Sequence, residues 1–387
     1  MNDPSRRRRR IPVSWLACAA GAALGTASFA RAGEAIDPYP RDDVLRLNHV
    51  QAIGTHNSYH LLSPLVGHLH EYHYEHAPFP VQLDEQGVRK FELDLYWDPE
   101  GFYRVHHVNV VDKETLCETL TLCLETLRDW SLAHPGHHPI FLMIEPKGIY
   151  YADAFSDEPL CDPPEHEVCH YDELDAEIRA VLAPEGGRDL LITPDEVRGA
   201  RPTLREAVLE DGWPTLRQTR GRFIGAMLAG VDLAGYTDGR PSLEGRALFV
   251  DSAPGRSDAA VMIHDDPVGD FAEIQALTAL GYVIRTRADA LDDAQAGDAT
   301  RRDAALASGA HYLSTDYPVP EYLDNGYWAS IPDGTPSRCN PVSAAGLDCT
   351  PLDIENPAVL PEPAAAAPAA FAALVWLRRR SPRVSRR

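Results

Sequence analysis

The sequence predicts an α/β protein: a single (β/α)8 TIM-type barrel, with some distortion of the ideal ring allowed for. Three observations predict it. Short apolar, β-prone runs recur along the chain, and helical stretches lie between several of them. That alternation builds a parallel sheet with helices packed outside it. Polar residues able to do chemistry stand just where the apolar runs stop, as they do on the C-terminal face of such a barrel.

The expected strands are Val50–Ile53, Arg89–Leu95, Pro139–Ile144, Arg222–Leu228, Ala247–Val250, Ala260–Ile263, Tyr282–Thr286 and His311–Ser314. Each is a run of apolar and β-branched residues of strand length. The expected helices are Leu116–Trp130, Glu173–Leu182, Thr203–Leu209, Phe271–Leu280 and Thr300–Ala307. The chain shows no internal repeat. Residues 33–341 are expected to form the barrel, and 342–363 an irregular extension.

Both ends read as signals rather than structure. Arg6 to Arg10 precede a small, apolar stretch, and Ala30-Arg31-Ala32 fits an A-x-A cleavage pattern, so residues 1–32 read as a secretion signal. The five arginines also suit a twin-arginine route. At the far end, Pro361-Glu362-Pro363, an apolar run from Ala364 and the cluster Arg378-Arg379-Arg380 resemble a bacterial sorting signal over 364–387. The chain is expected to be exported and monomeric.

The 387 residues carry 36 Lys and Arg against 58 Asp and Glu, a formal net charge of −22. The two ends hold twelve of the arginines and a single acid, so the part between them is more acidic still. Such a surface repels nucleic acid and suits capture of a divalent cation. Six of the seven cysteines fall in near pairs: Cys117 with Cys123, Cys161 with Cys169, and Cys339 with Cys349. In an exported chain that pattern predicts three local disulfides.

The candidate site begins at V-Q-A-I-G-T-H-N-S-Y-H, residues 50–60. An apolar run reaches Gly54 and turns polar at once. His56 can move a proton near neutral pH, and Asn57 offers a neutral oxygen. In K-F-E-L-D-L-Y, Glu92 and Asp94 are two apart, so on a strand they share a face. Two carboxylates that close repel unless a cation or a proton lies between them. In F-L-M-I-E-P-K-G, Glu145 ends another apolar run and adds a third carboxylate. This all-oxygen set fits Ca²⁺ or Mg²⁺ rather than zinc.

Lys147 would face a phosphate. In V-I-R-T-R-A-D, Arg285 and Arg287 share a strand face, which suits a phosphate or a diol, unless Asp289 takes them up in an ion pair. Y-R-V-H-H, Tyr103 to His107, is an alternating strand ending in two histidines, one of them a candidate second proton carrier. His60, His68, His70, His73 and His76 make a histidine-rich loop; their spacing matches no helix-borne zinc pair, and solvated loop histidines are the commoner use.

Taken together, G-T-H-N-S-Y, Q-L-D-E-Q-G-V-R-K-F-E-L-D-L, Y-V-I-R-T-R-A-D and S-G-A-H-Y-L-S-T-D-Y-P resemble the bacterial Ca²⁺-dependent phosphoinositide-specific phospholipase C family. The resemblance spans about residues 46–341 and rests on the order and spacing of the motifs. It implies a barrel and a phosphodiester substrate, a phospholipid or a glycerophosphodiester, with transient contact at a membrane surface. It implies that His56 is catalytic and that Asn57, Glu92, Asp94 and Glu145 hold Ca²⁺. The second catalytic histidine would be His106, with His107 one position on; the family pattern there is His-Gly, whereas this chain has His-His-Val. The alternatives are a glycerophosphodiester phosphodiesterase, which would show His-Arg-Gly near the first strand, and an inactive Ca²⁺-binding barrel.

Overall fold

The computed structural model describes residues 37–152, 170–228, 233–332 and 336–358. The architecture lies in the described residues from Pro38 onward. The strands are β1 (Val50–Thr55), β2 (Val88–Asp98), β3 (Phe102–Val105), β4 (Ile140–Ile149), β5 (Leu191–Ile192), β6 (Phe223–Met227), β7 (Phe249–Val250), β8 (Val261–Ile263), β9 (Val283–Arg287), β10 (Tyr312–Thr315) and β11 (Ser337–Cys339).

The eight expected strands are β1, β2, β4, β6, β7, β8, β9 and β10. All of them pair in parallel. The path runs β7-β6-β4-β2-β1-β10-β9-β8. A single bridge, Asp251 with Val261, then joins β7 to β8. The ring is therefore strong around β1, β2 and β4 and thin at β7 and β8. The strands of the strong side are longer and buried along their lengths; β4 alone lets alternate residues emerge at its far end. This is the signature of a parallel sheet covered on both faces.

Three strands lie outside that ring. β3 folds back antiparallel on β2, and the pairing of β11 on β1 is also antiparallel. β5 is two residues long and pairs with β6. β11 falls within the residues expected to form the barrel, while the segment expected to be irregular, 342–363, carries a helical turn, Pro351–Ile354. Its Glu355 is fully buried against Arg89 at the start of β2, with Oε2 2.9 Å from Nε. Residues up to 355 thus plug the N-terminal end of the barrel.

Helix boundaries follow their caps. The helix expected from Leu116 runs Leu120–Ala133, because the Thr119 hydroxyl accepts from the Leu122 N–H and the Cys117–Cys123 disulfide closes the turn before it. Its buried positions, Leu120, Cys123, Leu124, Leu127 and Trp130, form the apolar stripe that faces the core. Phe271–Leu280 and Thr300–Ser308 match expectation, each ended by a left-handed glycine. Thr203–Leu209 instead splits into a short turn, Leu204–Glu206, and a wider π turn, Ala207–Asp211. Cys339–Cys349 is bonded as expected. The Cys161–Cys169 pair, the signal segment 1–32 and the tail 364–387 lie outside the described residues. Among the described residues no helix is long and apolar enough to cross a membrane.

Candidate active site

β1 ends at Thr55, and the next three residues stay tied to both neighbouring strands. The His56 N–H donates to the Thr315 carbonyl at 3.0 Å, and the Ser58 N–H donates to the Glu92 carbonyl at 3.0 Å. Between them Asn57 takes φ of +43°, a left-handed conformation that asparagine tolerates better than most residues. The turn thus presents His56 and Asn57 at the C-terminal end of the ring.

His56 stands between carboxylates. Its Nδ1 is 2.9 Å from Asp316 Oδ1, just past β10, and its Nε2 is 3.7 Å from Glu92 Oε1. Arg287, the last residue of β9, reaches Asp316 Oδ2 at 3.2 Å and His56 Nε2 at 3.4 Å. Burial and the Arg287 charge push the His56 pKa down, against Asp316 and Glu92. His56 is therefore neutral near pH 7, with Nδ1 the protonated nitrogen because a carboxylate faces it. Burial pushes the Asp289 carboxyl up to about 7, and repulsion from Asp316 adds to the rise.

The oxygen set gathers as the strand register requires. Asp94 lies beside Glu145 across the β2–β4 pair. Ligand atoms of Glu92, Asp94 and Glu145 all lie within 4.8 Å of one another. Asp94 Oδ1 and Asn57 Oδ1 are buried without a hydrogen bond, and Asp94 Oδ2 has only an ammonium beside it. Asn57 Nδ2 donates to the Tyr74 hydroxyl at 2.8 Å, which fixes the amide so that Oδ1 is the free end. Burial pushes the Asp94 carboxyl well up, and the Lys147 charge only partly offsets it. Lys147 Nζ lies 3.2 Å from Asp94 Oδ2 and 2.6 Å from Glu145 Oε1. Orphaned buried oxygens that already attract an ammonium are the donor set a hard cation needs, so these residues fit Ca²⁺.

Two expected residues stand elsewhere. Arg285 is fully buried and committed: Nη2 donates to Glu92 Oε2 at 3.1 Å, Nε to Ser314 Oγ at 3.0 Å, and Nη1 pairs with Asp265. It supports Glu92, while Arg287, two residues on, reaches the opening. His106 is buried, stacked on Tyr96 at 4.4 Å between ring centres, with Nε2 2.7 Å from Asn109 Oδ1. Burial pushes its pKa down to about 4. A cavity of about 540 Å³ at this end of the barrel is lined by His56, Tyr74, His107, Arg287, Asp289 and Asp316, among others. His107 belongs to that wall and His106 does not. In the histidine-rich loop, His68, His70 and His73 are exposed as expected, but His60 and His76 are buried.

Lys90 escaped the sequence reading. It is fully buried, with Nζ 2.6 Å from Ser314 Oγ, 3.1 Å from the Thr55 carbonyl and paired with Glu92. Burial pushes its pKa down to about 8, against the pull of Glu92. Lys90 and Arg285 together hold Glu92 well below the usual carboxylate range although burial alone would raise it. The available signal was the spacing Lys90, Glu92, Asp94 on one strand face. Asp316 was in plain view in S-T-D-Y-P; its role shows only once β10 is set beside β1.

A parallel barrel whose strand ends hold a neutral histidine on a carboxylate, beside an oxygen cage for a hard cation, defines a cation-assisted barrel enzyme. The chain belongs to the family described as phosphoinositide phospholipase C, Ca²⁺-dependent, whose model matches residues 45–104 and 101–341. The members of this family are phospholipase C enzymes, and its cofactor is Ca²⁺.

Among solved structures, the fold is similar to the apo form of a calcium-dependent phosphoinositol-specific phospholipase C from Pseudomonas sp. (16% identity, TM-score 0.52, covering 78% of this chain and 98% of that one). It is likewise similar to a Ca²⁺-dependent phosphatidylinositol-specific phospholipase C from Streptomyces antibioticus (21% identity, TM-score 0.50, covering 71% and 95%). At these identities the likeness is one of fold. No curated protein matches the chain.

Proposed function

We propose that the protein is an exported phosphodiesterase that cleaves phosphatidylinositol-type lipids to diacylglycerol and a cyclic inositol phosphate by histidine acid/base catalysis. The observation that carries this reading is His56 Nε2 at 3.7 Å from Glu92, one member of the cage, with Nδ1 held on Asp316. A proton acceptor and a cation site share one carboxylate.

Asn57, Glu92, Asp94 and Glu145 would hold Ca²⁺. Bound there, it lowers the pKa of a coordinated hydroxyl and neutralises charge on the phosphate. The chain supplies the rest. His56 Nε2 takes the proton of the inositol 2-hydroxyl as that oxygen bonds to phosphorus, and Asp316 stabilises the imidazolium formed. Of the two arginines expected to suit a phosphate, Arg287 faces its oxygens and Arg285 does not. Lys147, whose Nζ lies beside Asp94 and Glu145, would face the same phosphate. The bond from phosphorus to the diacylglycerol oxygen breaks with its electron pair on that oxygen, which takes a proton from the second histidine. We assign that role to His107 rather than His106, because His107 lines the cavity with His56 while His106 Nε2 is taken up by Asn109.

The loop that lends Glu71 and Tyr74 to the cavity wall also exposes Leu62, Leu65 and Leu69. Apolar side chains at the rim suit brief contact with a lipid surface. Residues 1–32 are the export signal of this reading.

The test is hydrolysis of phosphatidylinositol vesicles, of other phosphodiester lipids and of soluble glycerophosphodiesters, with chelator and with Ca²⁺ added back. Ca²⁺-dependent release of diacylglycerol, cut ~10²–10⁴-fold by His56→Ala and by His107→Ala, is expected. Turnover of the soluble diesters alone would move the protein to the glycerophosphodiesterase reading.

A further inference from the structure

We infer that Asp112 is a positioning residue for His107, and that His60 braces Asp112 from beneath. The inference rests on the assignment of His107 as the second proton carrier.

Asp112 is fully buried and lies between two imidazoles. His107 Nδ1 is 2.7 Å from its Oδ2. On the other side His60 Nε2 is 2.9 Å from Oδ2 and 3.1 Å from Oδ1. His60 is itself immobile: its Nδ1 faces the Tyr74 carbonyl at 3.0 Å, and its ring stacks on Tyr74 at 4.2 Å. The Asp112 backbone is pinned to Val108 in both directions, by bonds of 3.0 and 3.1 Å. The carboxylate therefore has one orientation, set from the side away from His107 by the buried His60 and by its own backbone bonds to Val108.

The chemical consequence lies in the tautomer. A carboxylate at Nδ1 keeps a proton on that nitrogen in both charge states of His107, so the nitrogen that exchanges its proton is Nε2. In the cleavage step the Nε2 proton moves to the diacylglycerol oxygen as its bond to phosphorus breaks. His107 is left neutral with Nδ1–H still bonded to Asp112. Without the carboxylate the neutral ring divides between two tautomers and turns, and the proton is no longer aimed. Asp112 also opposes the positive charge that His107 carries before transfer. The arrangement repeats that of His56 with Asp316 in the same cavity: both histidines have Nδ1 on a buried carboxylate.

The test uses the Ca²⁺-loaded full-length protein. In the wild type, ¹⁵N spectra of His107 should show the neutral ring as the Nδ1–H tautomer; a dominant Nε2–H form overturns the inference with no variant needed. Asp112→Asn should lower turnover of phosphatidylinositol ~10-fold or more, toward the ~10²–10⁴ range of a lost acid. It should leave Ca²⁺ affinity and KM close to wild type. A soluble inositol phosphodiester with a phenolate leaving group should lose far less, because its departure needs no proton. An equal loss on both substrates would mean a general structural defect and overturns the positioning role. His60→Gln should give a smaller loss with the same leaving-group pattern. The two ideas fail separately. If His107→Ala is inactive but Asp112→Asn keeps full activity and the same tautomer, only the positioning role falls. If His107→Ala keeps full activity, the assignment of His107 falls and this inference with it. Zn²⁺ held at equimolar level and lost in His60→Ala would make the trio a metal site and overturn the inference.

Discussion

Gly54 makes room for Lys90. The two face each other across the β1–β2 pair, and a Cβ at position 54 would lie 2.4 Å from Lys90 Cδ and 2.5 Å from its Cβ. The lysine stem passes over the glycine and delivers its ammonium to Glu92. The glycine that marks the end of the apolar run in the sequence thus serves a buried cation rather than a turn. Gly54→Ala should cost ~1–3 kcal/mol, the usual range for an overpacked core site, read as a fall in Tm. In a Lys90→Gly background the same substitution should cost much less, because the side-chain atoms it strikes, Cβ included, are gone. Equal costs in both backgrounds would show that the clash is elsewhere.

The cation cage predicts opposite effects of one substitution with and without metal. Burial raises the Asp94 carboxyl, so in the metal-free protein its charge opposes folding, increasingly as pH rises through its unfolded value of about 4. Asp94→Asn should leave the metal-free protein as stable or more so. Wild type should gain ~2.7 kcal/mol at a Ca²⁺ concentration 100 times its Kd, and the variant should lose most of that gain at the same concentration. Paired melts with Ca²⁺ and with chelator give both numbers. An undiminished Ca²⁺ shift in the variant would remove Asp94 from the cage.

Much of this was legible in the sequence, and the losses have physical causes. The eight ring strands are apolar, so they show at once. β5 and β11 have two and three residues, too short for a period to register. The carboxylate cluster proposed to hold the cation was legible because Glu92 and Asp94 share a face by strand geometry. Which arginine meets the cavity was not, because alternation makes Arg285 and Arg287 equivalent; depth along β9 separates them. The same limit applies to His106 and His107, which follow β3 where its alternation ends. Glu355 was hidden by distance, 266 residues from its partner Arg89.

The two arginines of β9 predict a clean division between stability and activity. Arg285 balances Glu92 and Asp265 from a fully buried position. Its replacement by Met should destabilise by ~3–5 kcal/mol, because it strands buried charge. Arg287 is a quarter exposed and reaches the cavity. Arg287→Met should cost less than the Arg285 change, because Asp316 keeps His56 at 2.9 Å as a partner, yet depress turnover sharply. Melting curves and initial rates on the same samples decide the matter. The reverse pattern would return the substrate role to Arg285.

The plug at the N-terminal end predicts how the protein responds to acid. Glu355 is fully buried, and burial alone would raise its pKa. Arg89 overrides this and holds it down to about 2, with bonds of 2.9 and 3.1 Å from Nε and a further pair from Nη2. Arg89 has no alternative place for its charge, since its remaining donors go to the Leu83 and Val88 carbonyls. The sign follows from linkage. A carboxylate whose folded pKa lies below its unfolded value of about 4.3 stabilises the fold at all pH above that value. The contribution fades as pH falls through the window from about 4.3 to about 2. Glu355→Gln removes it, leaving Arg89 buried without its partner, which should cost ~3–5 kcal/mol at pH 7. The variant should therefore melt well below wild type at pH 7, and the gap should narrow steadily as pH is lowered through 4 toward 2. Truncation after Pro351 should reproduce the loss at pH 7, because Glu355 leaves with the removed residues. A Glu355→Gln gap that stays constant from pH 7 to pH 3 would show that the side chain contributes through packing, and that the ion pair with Arg89 adds nothing.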